Sequence, residues 1–238
     1  MKASDREMVL CVRRSSVEGA LSEGFNEFNG SEEQFNSVIK PYELVIGARL
    51  WLEHNTDYLQ LLPYCVFRKP DSSVAAYQRT KIVGEQRLAG NWSVGFGGHL
   101  SVVDLALERK YPSDESTGNY LPTGDIDTIG SIWNNIFREI EEETGIDLDS
   151  ISNLNYENDL AEFQGFIFDN SNAVGQRHLG VLMIFDVAQE FEFDDNSKQI
   201  ALSEGMDLKG WYQPEDLIRY NMESWSKIVL NYLLTQIK

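Results

Sequence analysis

The stretch TIGSIWNNIFREIEEETG (128–145) constrains the chain most, because it has one reading as local structure and that reading is costly. Ile132, Ile136, Phe137 and Ile140 recur at helical spacing, and Gly145 stands where a helix C-cap belongs. Positions i, i+3 and i+4 share a helix face, so Glu139, Glu142 and Glu143 project together while Glu141 points away. Three carboxylates with no lysine between them repel one another, and they lie at the end of the helix where the macrodipole is negative. A helix serving only as scaffold would carry Lys or Arg there. The cost makes sense if the carboxylates hold a divalent cation such as Mg2+, which takes a few carboxylate oxygens and keeps positions for water and a substrate phosphate. Arg138, four residues before Glu142, is placed to hold that carboxylate. The competing reading is a solvated face, since the chain has 38 Asp+Glu against 20 Lys+Arg and a net charge of -18.

That charge repels phosphate backbones, and no Lys/Arg-rich run offers a footprint for them, so long nucleic acid is not expected as a partner. A small anionic substrate needs only local positive charge. The 238 residues, 42% hydrophobic, are ample for a buried core. The start MKASDREMVLCVRR has acids where a signal peptide needs an apolar run, and the longest apolar stretches, such as VLMIF (181–185), are too short to span a bilayer. A cytoplasmic protein without membrane contact is expected. Cys11 and Cys65 are too few for a disulfide framework and read as reduced strand residues.

Along the chain, EMVLCVRR reads as a strand and SSVEGALSEGFNEFNG as a loop. SEEQFNSVIK opens with Ser31 and Gln34 at capping-box spacing and reads as a short helix. Residues 64–69 and 74–80 flank the turn-forming PDSS and predict a hairpin. A short glycine-broken strand follows in NWSVGFGGHL, and YPSDESTGNYLPTGD has the composition of a surface excursion. After the acidic helix come strands in AEFQGFIFDN, RHLGVLMIFDVAQEFEF and LKGWYQP, then helices in PEDLIRY and ESWSKIVLNYLLTQIK. The order of elements predicts one α/β domain with a mostly β start.

REIEEETGI (138–146) matches the second half of the Nudix box, RE-U-x-EE-x-G-U with U aliphatic, at every specified position. The first half is less regular. Counting back from Arg138 puts Gly124 at the box glycine but Gly130 where a glutamate belongs. A split reading is preferred, in which Gly98 of VGFGGHLSVVD is the box glycine, Asp104 replaces the glutamate, and the seven-residue spacer is stretched to the 33 residues from Leu105 to Phe137. LQLLPYCVF, AYQRT, GEQRLAGNWSVGFGGHL, RHLGVLMIFDV and LKGWYQPEDL extend the resemblance, from about Pro41 onward, to a Nudix subgroup with a Gly-Gly-His entry loop. The resemblance implies a single Nudix domain over 1–238, an α/β/α sandwich with a mixed sheet, in which 1–60 is an N-terminal extension and 105–129 an insertion within the box.

The resemblance also implies a hydrolase that uses Mg2+ or Mn2+ to cleave a pyrophosphate bond in a nucleoside diphosphate linked to another group. Glu139, Glu142 and Glu143 are then metal ligands, Glu139 doubles as base and Arg138 orients them. Glu204 is the candidate for a base outside the box, with Glu162 a weaker one. Substrate contacts are expected from Gly97, Gly98, His99, Arg79, Arg177 and His178, with Arg87 a further cation. Tyr77, Trp92 and Phe163 are candidate stacking residues, although an aromatic on a strand more often belongs to the core. A small nucleotide is the expected partner, and a homodimer stays open. The alternative is a catalytically weak or inactive Nudix-like nucleotide-binding sensor. Isopentenyl diphosphate isomerase, another Nudix-fold enzyme, depends on a cysteine near its entry loop, and GFGGHLSVVD has none.

Overall fold

A computed structural model describes residues 7–28, 31–40, 43–80, 89–107, 126–150 and 162–236. The chain opens with β1 (Met8–Arg13), the short α1 (Arg14–Val17), β2 (Gly24–Glu27) and α2 (Glu32–Val38), then β3 (Val45–Ala48) and α3 (Arg49–Leu52). The long β4 (Tyr58–Arg68) and β5 (Val74–Arg79) form the expected hairpin, followed by β6 (Trp92–Ser93), β7 (Ala106–Leu107) and β8 (Ile126–Asp127). The acidic helix is α4 (Thr128–Thr144). Next come β9 (Phe163–Phe168), β10 (His178–Asp186), α5 (Asp195–Ser203), β11 (Met206–Tyr212), α6 (Pro214–Leu217) and α7 (Ser224–Gln236).

Nine strands make one mixed sheet with the central order β11-β5-β4-β10-β9-β2, while β1 pairs with β3 and β4, and β6 with β5. The β4–β10 pair at its centre is parallel, and the other ladders are antiparallel. Strand alternation sorts the central residues onto two faces. Leu61, Cys65 and Phe67 of β4, with Leu179, Val181 and Met183 of β10, join the core that takes up Ile132, Ile136 and Ile140 of α4. Tyr64 and Val66, with Leu182 and Ile184, join the core beneath Trp225, Val229, Leu230 and Leu233 of α7. With both faces covered, β10 is buried over His178–Phe185, which accounts for its unbroken apolar run. The result is the expected α/β/α sandwich, with α4 and α7 on opposite sides.

Several elements differ from the sequence reading. The segment expected as a loop after β1 contains α1 and the edge strand β2, whose half-exposed residues carry no alternation to announce it. The helix α5 was not expected either. Of its residues only Ser197 and Ala201 are buried, so its apolar periodicity is weak, and its start rests on Asp194 accepting from the Ser197 amide. Ser31 caps α2 through the Gln34 amide as its spacing predicts. Arg87 and residues 108–125 of the expected excursion lie outside the described residues. The ends of that excursion do not: Ala106 pairs with Asp127 and Leu107 with Ile126, so the chain leaves and re-enters at one antiparallel ladder. Among the described residues no helix is long and apolar enough to cross a membrane.

Candidate functional site

The carboxylates depend first on how α4 is held. Asp127 caps its start by accepting from the Gly130 amide, and Gly145 ends it in the left-handed region at φ 68°, donating to the Glu141 carbonyl. The polypeptide before the excursion clamps the middle of the helix. Asn134 donates to the Asp104 carbonyl, the Ala106 amide to the Ser131 hydroxyl, and Asn135 to the His99 carbonyl.

Asp104, 1% exposed, closes this clamp. Its carboxylate receives Nε of Arg138 at 2.7 Å and Nη2 at 2.9 Å, together with the Ser101 amide and the Asn135 side chain. Burial pushes its pKa up, but Arg138 and these donors outweigh it and hold the carboxyl below its ordinary value. The same guanidinium reaches Glu139 at 2.9 Å and Glu142 at 3.1 Å. Arg138 is thus shared among three carboxylates and fixes the orientation of two that face outward. Asp104, 34 positions before Arg138 in the chain, is thus brought onto its guanidinium.

The glycines before it are required by close approach. A side chain at Gly95 would enter the Tyr64 ring, one at Gly98 would collide with the Glu139 carboxylate, and one at Gly97 would meet the Pro63 carbonyl oxygen at 2.5 Å. Gly97 also has φ +129°. Its amide donates to Glu143 at 2.9 Å. Burial pushes the Glu139 carboxyl up to about 6, against the pull of Arg138. It pushes Glu143 up to about 8, with the Gly97 amide and Arg79 pulling down and Glu139 and Glu204 pushing further up. Glu142 is far more exposed, at 59% of its side chain. Arg138 contacts Glu139 and Glu142, while Glu143 accepts from the Gly97 amide, so the three carboxylates share one helix face without their oxygens converging on one point. Carboxylate oxygens are the donor type that Mg2+ or Mn2+ takes.

A cavity of about 460 Å³ begins at Gly97. Leu62, Tyr64 and Trp225 give it an apolar wall, while Asn172, Arg79 and Lys227 supply polar groups. Arg79 is steadied by Glu223 at 3.0 Å. Arg79 and Gly97, both expected as substrate contacts, therefore line one cavity, and Gly97 connects it to Glu143 through its amide. His99, His178 and Arg177 do not line that cavity. The two imidazoles face each other at 2.9 Å, His178 lies against Trp225 and bonds the Val174 carbonyl, and Arg177 stands 3.7 Å from Glu53. Glu204 is exposed at the C-cap of α5, and Glu162 directly precedes β9. Of the candidate stacking residues, Tyr77 and Phe163 are core, and Trp92 stacks on Tyr220. The sequence reading missed Lys227, Trp225 and Glu223, because the start of a helix with one apolar face carries no mark of a cavity beside it.

No family model matches the chain. YmaB of Bacillus subtilis (strain 168) is 27% identical to it over 232 residues, which is 95% of this chain and 97% of YmaB. The crystal structure of Tm1382, a candidate Nudix hydrolase, superposes with a TM-score of 0.65 over 97% of this chain and 100% of Tm1382, at 21% identity. The chain therefore has the Nudix-type fold of Tm1382, a large mixed sheet between helices.

Proposed function

We propose that the protein is a divalent-metal-dependent hydrolase cleaving a pyrophosphate bond in a nucleoside diphosphate linked to another group. The observation that carries this reading is the Asp104–Arg138–Glu139/Glu142 network on the same helix as Glu143, whose carboxylate is bonded to Gly97 in the lining of a cavity. Glu139, Glu142 and Glu143 would hold Mg2+ or Mn2+, which neutralises phosphate charge and lowers the pKa of bound water. Arg138 fixes Glu139 and Glu142, so these carboxylates are oriented before substrate enters. Glu139, already drawn toward neutrality by burial, is suited to take a proton from water. Glu204, near enough to Glu143 to disfavour its ionisation, is the second candidate base.

Arg79 answers the charge of the substrate, and the cavity on the α7 side is the size of a nucleoside-like group. Gly97 and Gly98 are read as backbone contacts for the substrate, on a loop whose missing side chains let it lie against Pro63 and the Glu139 carboxylate. We read 1–238 as one unit, with 1–60 an N-terminal extension that adds β1, β2 and β3 to the sheet and 105–129 an insertion hinged at β7 and β8. The sensor alternative drew on the missing box glutamate, and the bidentate bond from Arg138 to Asp104 favours the catalytic reading instead. A panel of nucleoside diphosphate derivatives with Mg2+ or Mn2+, assayed for released mononucleotide or phosphate, tests it. Absence of metal-dependent turnover across the panel would count against it.

A further inference from the structure

We propose that Glu53, His99 and His178, with the side-chain carbonyl of Gln60, bind a first-row divalent transition ion, Zn2+ by ligand type, at a site separate from the α4 carboxylates. The ligand atoms of Glu53, His99 and His178 all lie within 4.8 Å of one another. The two Nε2 atoms are 2.9 Å apart. Two nitrogens bound at about 2.0–2.1 Å and separated by 90–109° at the metal lie about 2.9–3.4 Å apart, so the pair already stands at a ligating separation. Without metal this contact is a hydrogen bond donated by Nε2 of His99, and ligation requires that proton to pass to its Nδ1.

The hydrogen bonding of His178 prepares it as a ligand. Its Nδ1 is 2.7 Å from the Val174 carbonyl, which only accepts, so Nδ1 carries the proton and Nε2 presents its lone pair. An imidazole held by Nδ1–H to a backbone carbonyl is the usual support of a metal-bound histidine. Burial and the arginines nearby keep both rings neutral, as ligation requires.

Gln60 is the independent observation. It is 0% exposed, and neither its amide nitrogen nor its amide oxygen has a hydrogen-bond partner. Folded proteins seldom leave such groups orphaned. Gln60 lies opposite His178 in the parallel β4–β10 register, so the two side chains share the α7 face of the sheet. The Glu53 carboxylate is likewise uncommitted: among the described residues it accepts no hydrogen bond, and its cations stand at 3.7 Å (Arg177) and 3.9 Å (Arg49). Arg49 already has Glu7 at 2.7 Å. Arg177 opposes a cation by its charge, 3.7 Å from Glu53 and without a direct hydrogen bond to it. Imidazole with carboxylate and amide oxygen favours a transition ion over Mg2+. An ion here would tie the end of α3 and the centre of the sheet to the residue after Gly98, and so brace the glycine segment from the side opposite Glu139.

The test is calorimetric titration of the full chain with Zn2+ alone, repeated with Co2+ to read its visible absorption, in wild type with millimolar Mg2+ and in Glu139→Gln/Glu142→Gln/Glu143→Gln. One tight equivalent should survive in both. His178→Asn and the milder Glu53→Gln should each weaken it at least tenfold, and Arg177→Gln should tighten it. No stoichiometric Zn2+ or Co2+ in the triple variant, or binding unchanged by Glu53→Gln and His178→Asn, would overturn the proposal. Metal-dependent turnover is read separately, so loss of one result leaves the other standing.

Discussion

Two polar clusters lie against the glycine segment 95–98, and they differ in how the chain assembles them. The α4 cluster is local: Arg138, Glu139, Glu142 and Glu143 sit within two turns of one helix, and only Asp104 and Gly97 come from elsewhere. The Glu53–His99–His178–Gln60 cluster is wholly nonlocal, built from the end of α3, the entry loop and two neighbouring strands. The first is charged and partly open, with one guanidinium shared among three carboxylates. The second is mostly buried, its imidazoles satisfying each other and its one carboxylate, Glu53, half-exposed. Substrate chemistry suits the first cluster, which is tied through Gly97 to the lining of a cavity, and bracing suits the second.

The sharpest way to break this contrast is Glu143→Gln. Under the proposed function it should lower metal-dependent turnover by more than the roughly 10–100-fold that loss of a supporting partner costs, with the fold intact by circular dichroism. Near-native turnover at saturating Mg2+ would remove the functional distinction between the clusters. Asp104→Asn comes next. It leaves Arg138 without a charged partner for its two best bonds and should destabilise the fold in chemical denaturation by somewhat less than the roughly 3–5 kcal/mol of breaking a fully buried pair, since Arg138 is 27% exposed and keeps Glu139 and Glu142. Gly97→Ala should cost about 1–3 kcal/mol from its left-handed backbone alone, and more from contact with Pro63, while weakening Mg2+ binding through Glu143.

The pH dependence separates the clusters further. Glu143 holds its proton in the fold up to about 8 against an ordinary 4.5, so its contribution to metal-free stability is complete below pH 4.5 and lost as pH rises through 8. The melting temperature of metal-free protein should therefore fall across that window. Glu143→Gln should flatten the fall, and Mg2+ should reverse it by drawing the native state toward the ionised form. A slope unchanged in Glu143→Gln would place the titration elsewhere. The smallest effect is expected from replacing 108–125 with a two-residue turn between β7 and β8. Since Leu107 already pairs with Ile126, stability should change by no more than about 1 kcal/mol and the Mg2+ response should persist. Collapse of either would count against the split reading of the box.

The helix and its carboxylates were legible because helical periodicity is short-range: residues three and four apart meet whatever the rest of the chain does. The strands β5 and β10 and the second half of β4 were legible for the same reason, whereas the first half of β4, from Tyr58 to Pro63, was not read as strand, and β2 and α5 bury too little to leave a pattern. Gly98 and Asp104 could be named as box residues by resemblance, but the partnership of Asp104 with Arg138 needed the β7–β8 ladder to bring the two ends of the excursion together. Nothing in the linear order joins Glu53 to His99 and His178, or sets Arg79 beside Gly97 at the mouth of a cavity under Trp225. Local sequence determined which groups carry charge and which face of α4 they share. Tertiary structure decided their environment, because burial and convergence from distant segments are properties of the packed sheet, and these move the Glu139 and Glu143 carboxyls up to about 6 and about 8.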